Sequence, residues 1–471
     1  MSTQISPAQV GSQAGSSPKA GLFYREEPYI ARRGLHLDLK GVPPTAERLL
    51  SLLDLLAAAR FNAVLVEWED MFPWTVDERF RCETAYTKEE VQAFAKKAEQ
   101  LGIEVIPLVQ CLGHMETPLK FPEYAALREV PDEVGGLNPL APGARDLIRR
   151  MIDDVLALLP GVKHFHLGGD EAWSFGTHPD TKAYVEKHGK GALYMHHVEP
   201  LLDHLAARGI RPILWHDMMC HWESAALERL ATKADLCVWG YQGHPATVAT
   251  RAHYNIENIK RFNEHGISMW GGSAYKGADG FDKELPVPGK RIENMLAWAE
   301  VAHQFAMKGV FVTAWSRYNT MAPQVDPIDA ALDLLVMAGA ILYDGEVPAA
   351  GMAACEEWLA AFSATESARF TACRAVMAEL ERLKAAAWDH VRLAREHMAL
   401  AKIDPGRTWA NPKQNIKYIQ SHIGRLEALL ARIKEVYQGL VPPIWLERLV
   451  GERLVALQEE VEALRKDVPE K

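Results

Sequence analysis

The chain has 471 residues, 48% of them hydrophobic and 24% charged, with a formal net charge of -10. That length supports one large globular domain and a smaller one. The acidic balance argues against nucleic acid or an anionic membrane surface as partner, and no run of about 18 apolar residues is present to span a bilayer.

Met1 to Gly21 is rich in Ser, Gln, Gly and Ala, with no basic segment leading into an apolar one. It reads as a disordered tail, not a secretion signal. From Arg33 to Tyr343 short apolar runs alternate with amphipathic stretches. Strands are predicted at 34–40, 63–69, 104–110, 162–167, 212–217, 236–241, 268–275 and 310–315. Helices are predicted near 45–60, 88–101, 144–159, 193–208, 223–231, 257–265, 292–307 and 327–340, each with apolar residues at three- and four-residue spacing. Thr87-Lys88-Glu89-Glu90 has the form of a helix-capping box. This alternation predicts an α/β fold, a closed (β/α)8 TIM barrel over residues 22–350. No GxGxxG follows the first strand and no GxxxxGK[ST] occurs, so nucleotide-binding sheets lose their usual support.

Past Gly351 long apolar stripes take over: Ile416, Ile419, Ile423, Leu426, Leu430, Ile433 and Tyr437, then Val450, Leu454, Leu457, Val461 and Leu464. They predict a C-terminal helical appendage over 351–471 whose helices pack on each other and on the barrel; the alternative is that one stripe forms a homodimer interface. Asp404–Asn411, with Pro405, Gly406 and Trp409, reads as a loop between helices that could reach the barrel mouth. The six cysteines (Cys82, Cys111, Cys220, Cys237, Cys355, Cys373) lack metal-type spacing, so free thiols and a cytoplasmic location are expected.

In such a barrel the chemistry sits at the C-terminal ends of the strands. Those ends carry Asp38 and Lys40, Glu69 and Asp70, Gln110 with nearby His114, Asp170 and Glu171, Trp215 and Asp217, Trp239 and Tyr241, Tyr275, and Trp315 with Arg317. The fourth strand stops at Gly168-Gly169, which would let a ligand approach the backbone, and then delivers adjacent carboxylates. Such a pair is costly at the end of an apolar strand unless it is paired or has work to do. Adjacent Asp and Glu suit cleavage of a glycosidic bond in which the substrate's own 2-acetamido oxygen attacks the anomeric carbon. Glu171 would protonate the leaving oxygen and later deprotonate water, while Asp170 would hold the acetamido N–H and raise its neighbour's pKa. Trp215, Trp239, Trp315 and Tyr275 are the right residue types to enclose the acetamide and stack on the sugar. The scheme needs no metal or cofactor. Two other readings stay open: a metal-dependent barrel hydrolase using His36, Asp38, His166, His216 and Asp217, and a non-catalytic sugar-binding barrel.

His166-Leu167-Gly168-Gly169-Asp170-Glu171 resembles the His-x-Gly-Gly-Asp-Glu signature of glycoside hydrolase family 20, the β-N-acetylhexosaminidases. The likeness extends over Arg33-Gly-Leu-His-Leu-Asp38-Leu-Lys-Gly, Glu67-Trp-Glu-Asp70-Met-Phe-Pro and Ile106-Pro-Leu-Val-Gln-Cys-Leu-Gly-His114-Met-Glu. The family's short type, without an extra N-terminal α/β domain, is the most similar. The resemblance implies that the substrate is a glycan or glycoside ending in N-acetylhexosamine. It implies that Arg33 binds sugar hydroxyls, that Asp70 and His114 form a pair supporting the acid, and that Trp215 and Trp239 line the acetamido pocket. Tyr275 would bond the acetamido carbonyl and Trp315 would form the stacking platform. Two positions depart from the family. Trp315-Ser316-Arg317 stands where Trp-x-Glu is common, and Gly277 replaces an acidic residue, with Asp279 nearby. Both bear on gluco versus galacto recognition; both sugars are expected, N-acetylgalactosaminides slightly preferred.

Overall fold

The structure is a computed structural model that describes residues 22–280, 283–317, 327–404 and 412–468. The expected tail (1–21) and most of the expected loop at 404–411 lie outside the described residues.

Eight parallel strands close into a barrel in sequence order: β1 (Arg32–Asp38), β2 (Ala63–Glu67), β3 (Glu104–Leu108), β4 (His164–His166), β5 (Arg211–Trp215), β6 (Asp235–Trp239), β7 (Met269–Lys276) and β8 (Gly309–Ala314). Closure is made by β1 against β8, with Arg33 opposite Val310. The two-residue period sorts the strand side chains into two layers. Leu65, Ile106, Leu108, Ile213, Trp215, Cys237, Trp270 and Phe311 fill the barrel. Leu35, Leu37, Val64, Val66, Leu236, Val238 and Val312 belong to the larger core between sheet and helices.

Most predicted strands run past the observed ends at the mouth. The 63–69 prediction, for example, stops at Glu67, and Glu69–Met71 forms a 3-10 turn. There the backbone leaves the ladder to aim polar side chains over the barrel. The predicted helices are all present within a few residues, and Thr87 and Glu90 make the capping box. The short helix Glu116–Leu119 and the helix Pro179–His188 lie in the long loops after β3 and β4 and have no strong apolar period to announce them.

The last barrel helix, Leu332–Asp344, is followed by helices Met352–Phe362, Ala364–Ile403, Pro412–Val436 and Pro443–Asp467. We propose that the domain boundary falls between Asp344 and Met352. The two apolar stripes are consumed inside the chain: Ile416, Ile419, Ile423, Leu426, Ile433 and Tyr437, and Val450, Leu457, Val461 and Leu464, are buried. A dimer interface built on either stripe therefore loses its surface. Polar contacts tie these helices to the barrel. Trp445 Nε1 donates to Thr84 Oγ1 at 2.7 Å, and Arg48 NH2 pairs with Asp329 at 2.6 Å and Glu366 at 2.7 Å. Buried Glu284 receives both Arg453 and Lys384, the latter at 2.6 Å. All six cysteines are free thiols, five of them buried. No described helix is long and apolar enough to cross a membrane.

Replacing Glu284 by Ala leaves two buried cations without their shared anion, and should cost about 3–5 kcal/mol in denaturant unfolding. A loss below about 1 kcal/mol would show that the helices are not anchored there.

Candidate active site

The turn after β4 fixes two carboxylates side by side. His166 is fully buried, burial holding its pKa down to about 3, and its Nδ1 accepts from Gly168 N at 3.0 Å. Gly168 and Gly169 adopt φ of 59° and 79°. A Cβ on Gly168 would stand 1.8 Å from Gln110 Oε1, and one on Gly169 would stand 2.2 Å from Tyr194 Oη. The glycines thus admit the protein's own side chains, where the sequence suggested a ligand's approach. Gly169 N donates to Gln110 Oε1 at 3.3 Å, and Tyr194 Oη donates to Gly169 O at 3.0 Å.

His114, from the loop after β3, faces both acids: its Nε2 lies 3.7 Å from Asp170 Oδ2 and 3.3 Å from Glu171 Oε2. Burial alone would discharge this imidazole, but the Asp170 charge and bonds to both carboxylates hold its pKa well above the ordinary value. Asp170 is raised, chiefly by burial. Its Oδ1 is buried and has no hydrogen-bond partner among the described residues. Glu171 adopts a positive φ of 45°. Its N–H is anchored at 3.0 Å on Oδ2 of Asp217, whose Oδ1 accepts from Trp239 Nε1 at 3.3 Å. Burial and the charge of Asp170 push Asp217 up to about 7. Sequence reasoning noted Asp217 only as a strand-end residue and a potential metal ligand. Its position two residues beyond Trp215 was the available signal.

Trp215 lies deep in the barrel, 4.2 Å from the His166 ring and 6.3 Å from Trp315, centroid to centroid. Trp239 stacks on Tyr241 at 5.2 Å, and Tyr241 lies 6.1 Å from Trp315. These aromatics and the acids form one group. Tyr275 is fully buried in the layer between sheet and helices, beside the irregular register of β7 at Ala274/Lys276. It falls in a different apolar cluster from Trp215, Trp239 and Trp315. Tyr241 packs with the interior aromatics: burial and the Asp170 charge keep its phenol well above the ordinary pKa, so it remains a donor, and it interacts with Trp315 and Thr313.

Arg33 is a correction to the expected site. It is the second residue of β1, and its guanidinium donates to the carbonyls of Ile30, Ala31 and Arg60. At about 3.3 Å per residue it lies roughly 16 Å below the mouth, so it cannot reach a sugar held by Asp170. Arg317 is the arginine at the mouth, 3.8 Å from Asp70. Asp70 is buried, with Oδ1 unpartnered among the described residues, and its ionic neighbour is Arg317 where His114 was expected. Asp279 is committed elsewhere, to Val287 N at 2.9 Å and Arg291 at 3.3 Å.

Below the acids runs a charged network. Lys40 Nζ lies 3.1 Å from Asp38 and 2.8 Å from Glu67, which also takes Gln110 Nε2 at 3.1 Å and His36 Nε2 at 3.2 Å. Asp38 Oδ2 accepts from Ser316 N at 2.9 Å, fixing the loop that carries Trp315. The metal ligands weighed from sequence are therefore dispersed. His36 and Asp38 serve this network, His166 its own turn, His216 the carbonyl of His253 at 3.2 Å, and Asp217 the acid loop. Among the described residues one trio has metal-ligand spacing, His114, Asp170 and Glu171, with ligand atoms within 4.8 Å of one another.

Asp217→Asn puts an amide donor against Glu171 N–H or Trp239 Nε1–H, and should lower kcat by about tenfold or more through misplacement of Glu171. It should also change the pH dependence of stability. The native carboxyl binds its proton more tightly folded than unfolded, so the native protein should lose stability relative to the variant as pH rises from about 4 to about 7. Thermal melts of both proteins across that range check the sign.

A model of the glycosyl hydrolase family 20 catalytic domain matches residues 31–259. A hexosaminidase D from Bos taurus is 31% identical over 325 residues, covering 67% of this chain and 92% of that protein. One from Homo sapiens is 31% identical over 335 residues, covering 67% of each. The crystal structure of a Flavobacterium johnsoniae chitobiase superposes with a TM-score of 0.54 at 16% identity, over 94% of this chain and 74% of that one, a likeness of fold. With these relatives, and with its acids at the mouth of the barrel, the chain belongs to glycosyl hydrolase family 20 and is a glycoside hydrolase of the β-N-acetylhexosaminidase class.

Proposed function

We propose that this enzyme removes terminal β-linked N-acetylgalactosamine or N-acetylglucosamine with net retention, using the substrate's own acetamide as nucleophile. The observation that carries the reading is the pair itself. Glu171 is steadied by His114 and Asp217, and beside it the buried Asp170 Oδ1 has no described partner, as an acceptor for a substrate N–H should. The acetamido oxygen attacks the anomeric carbon as the glycosidic bond breaks, and Glu171 gives its proton to the departing oxygen. Water then attacks the same carbon, Glu171 takes its proton, and the oxazolinium ring reopens to the acetamide. An internal nucleophile is worth an effective molarity of about 10⁵–10⁸ M when held in attacking geometry. Trp215, Trp239 and Trp315 supply that hold, and Tyr241 donates to the acetamido carbonyl in the role first expected of Tyr275. Asp70 and Arg317 bind the distal hydroxyls, and both epimers are substrates. Six free thiols favour a reducing compartment, the cytoplasm.

Glu171→Gln should lower turnover by orders of magnitude on poor leaving groups, and by much less on activated aryl glycosides that need little protonation. Equal loss on both would remove Glu171 as the acid. Tyr241→Phe should depress kcat more than it raises KM, since the carbonyl becomes the nucleophile only in the transition state. Tyr275→Phe should leave kcat near native; the reverse pattern would restore Tyr275 to the role.

The spacing of His114, Asp170 and Glu171 favours one second reading, metal-assisted hydrolysis. Dialysis against a chelator, with metal analysis of the protein, separates the two. Activity lost on chelation and regained with a divalent cation would replace the substrate-assisted scheme.

A further inference from the structure

Trp173 is 79% exposed, whereas Trp68, Trp74, Trp215 and Trp270 are buried. Leaving an indole in water forfeits its burial, and the loop that carries it has no freedom to fold it away. Trp173 N donates to Glu171 O at 2.8 Å, and Phe175 N donates to Ala172 O at 3.0 Å. Just beyond, the buried carboxylate of Glu129 accepts the N–H groups of Gly176, Thr177 and His178 at 2.9, 2.9 and 3.1 Å, and the hydroxyl of Thr181. The ring is held out two residues from the acid. Beside it lies a cleft of about 270 Å³ whose lining includes His114, Glu116, Glu133, Gly136, Glu171 and Trp173. That is below the usual range for drug-sized ligands and suits a single ring.

We propose that this cleft binds the leaving sugar: an uncharged pyranose that stacks its C–H face on Trp173 and donates hydroxyls to Glu116 and Glu133. The assignment rests on Glu171 being the acid that faces the scissile oxygen, because the cleft opens from that carboxylate. Indole offers a flat apolar face to the axial hydrogens of a sugar ring, and ionised carboxylates only accept hydrogen bonds, which suits hydroxyl donors. No Lys or Arg lines the cleft among the described residues. An aglycone carrying a carboxylate or sulfate would meet Glu116 and Glu133 beside the proton-bearing Glu171, with only His114, already engaged by two acids, to offset them. The natural substrate is therefore the neutral end of a glycan chain, and not a lone alkyl glycoside or an acidic saccharide.

The test is a ratio of kcat/KM values, which is insensitive to how much of a variant folds. It compares a disaccharide with N-acetylglucosamine β-linked to galactose against the trifluoroethyl N-acetyl-β-glucosaminide, whose leaving group cannot fill the cleft. Trp173→Ala should reduce the disaccharide/trifluoroethyl ratio by about tenfold, and Trp173→Phe should restore most of it. A ratio that changes by less than about threefold in Trp173→Ala overturns the subsite. Exchanging galactose for glucuronic acid should cost the native enzyme about tenfold, and equal rates overturn the requirement for a neutral sugar. Inactivity of the native enzyme on all of these substrates and on their N-acetylgalactosamine counterparts overturns the hexosaminidase reading and the subsite with it.

Discussion

A chain of polar contacts runs round the mouth of the barrel, and buried Lys40 is the charge that makes it possible. Lys40 joins Asp38 of β1 to Glu67 of β2. Asp38 holds Ser316 after β8, Glu67 holds Gln110 after β3, and Gln110 holds the Gly169 backbone after β4. Glu171 then leans on Asp217 after β5, which holds Trp239 of β6. Carboxylates this deep are tolerable only with a cation among them. Burial works against the Lys40 charge, yet Asp38, Glu67 and Glu69 together raise its pKa above the ordinary value, and Lys40 in return helps hold Glu67 well below its own. The network ties the loop of Trp315 to the loop of Asp170 and Glu171.

Burial, helped by a surplus of carboxylates over cations at the mouth, raises the pKa of acids that would otherwise be bare. Asp217 is raised to about 7 and Glu69 to about 8, burial first and neighbouring carboxylates next, apart from the opposing Lys40 charge at Glu69. A site that must donate a proton near neutrality gains from such a field. Three of the six described residues other than glycine with positive φ lie at the same rim. Glu69, His114 and Glu171 take φ of 48°, 54° and 45°, conformations that L residues rarely adopt. All three sit on loops at strand ends and carry ionisable side chains of this group, so the strain aims those side chains over the barrel.

The appended helices brace the barrel through apolar packing and a few polar contacts. Their apolar stripes are spent on one another and on the barrel wall, and their polar side chains meet the barrel at Glu284, Arg48 and Thr84. The loop that carries Asp170 and Glu171 rests on a local device, the Glu129 carboxylate beneath the Trp173 turn.

The barrel was legible because strand and helix periods are local properties, and eight repeats of one unit leave few ways to pack. The adjacent acids were legible too, since two carboxylates and two glycines at the end of an apolar strand have few structural uses. What the sequence could not decide was which strand-end side chains turn inward and which end of a strand a residue occupies. Arg33 lies near the entry of β1 and Tyr275 falls in the larger core cluster, while Tyr241, Asp217 and Arg317 stand with the acids and aromatics at the mouth. Linear spacing gives the order of residues along a strand. The tilt of closure, the irregular register of β7 and the loop dihedrals decide where each side chain ends, and these arise only when all eight strands are assembled.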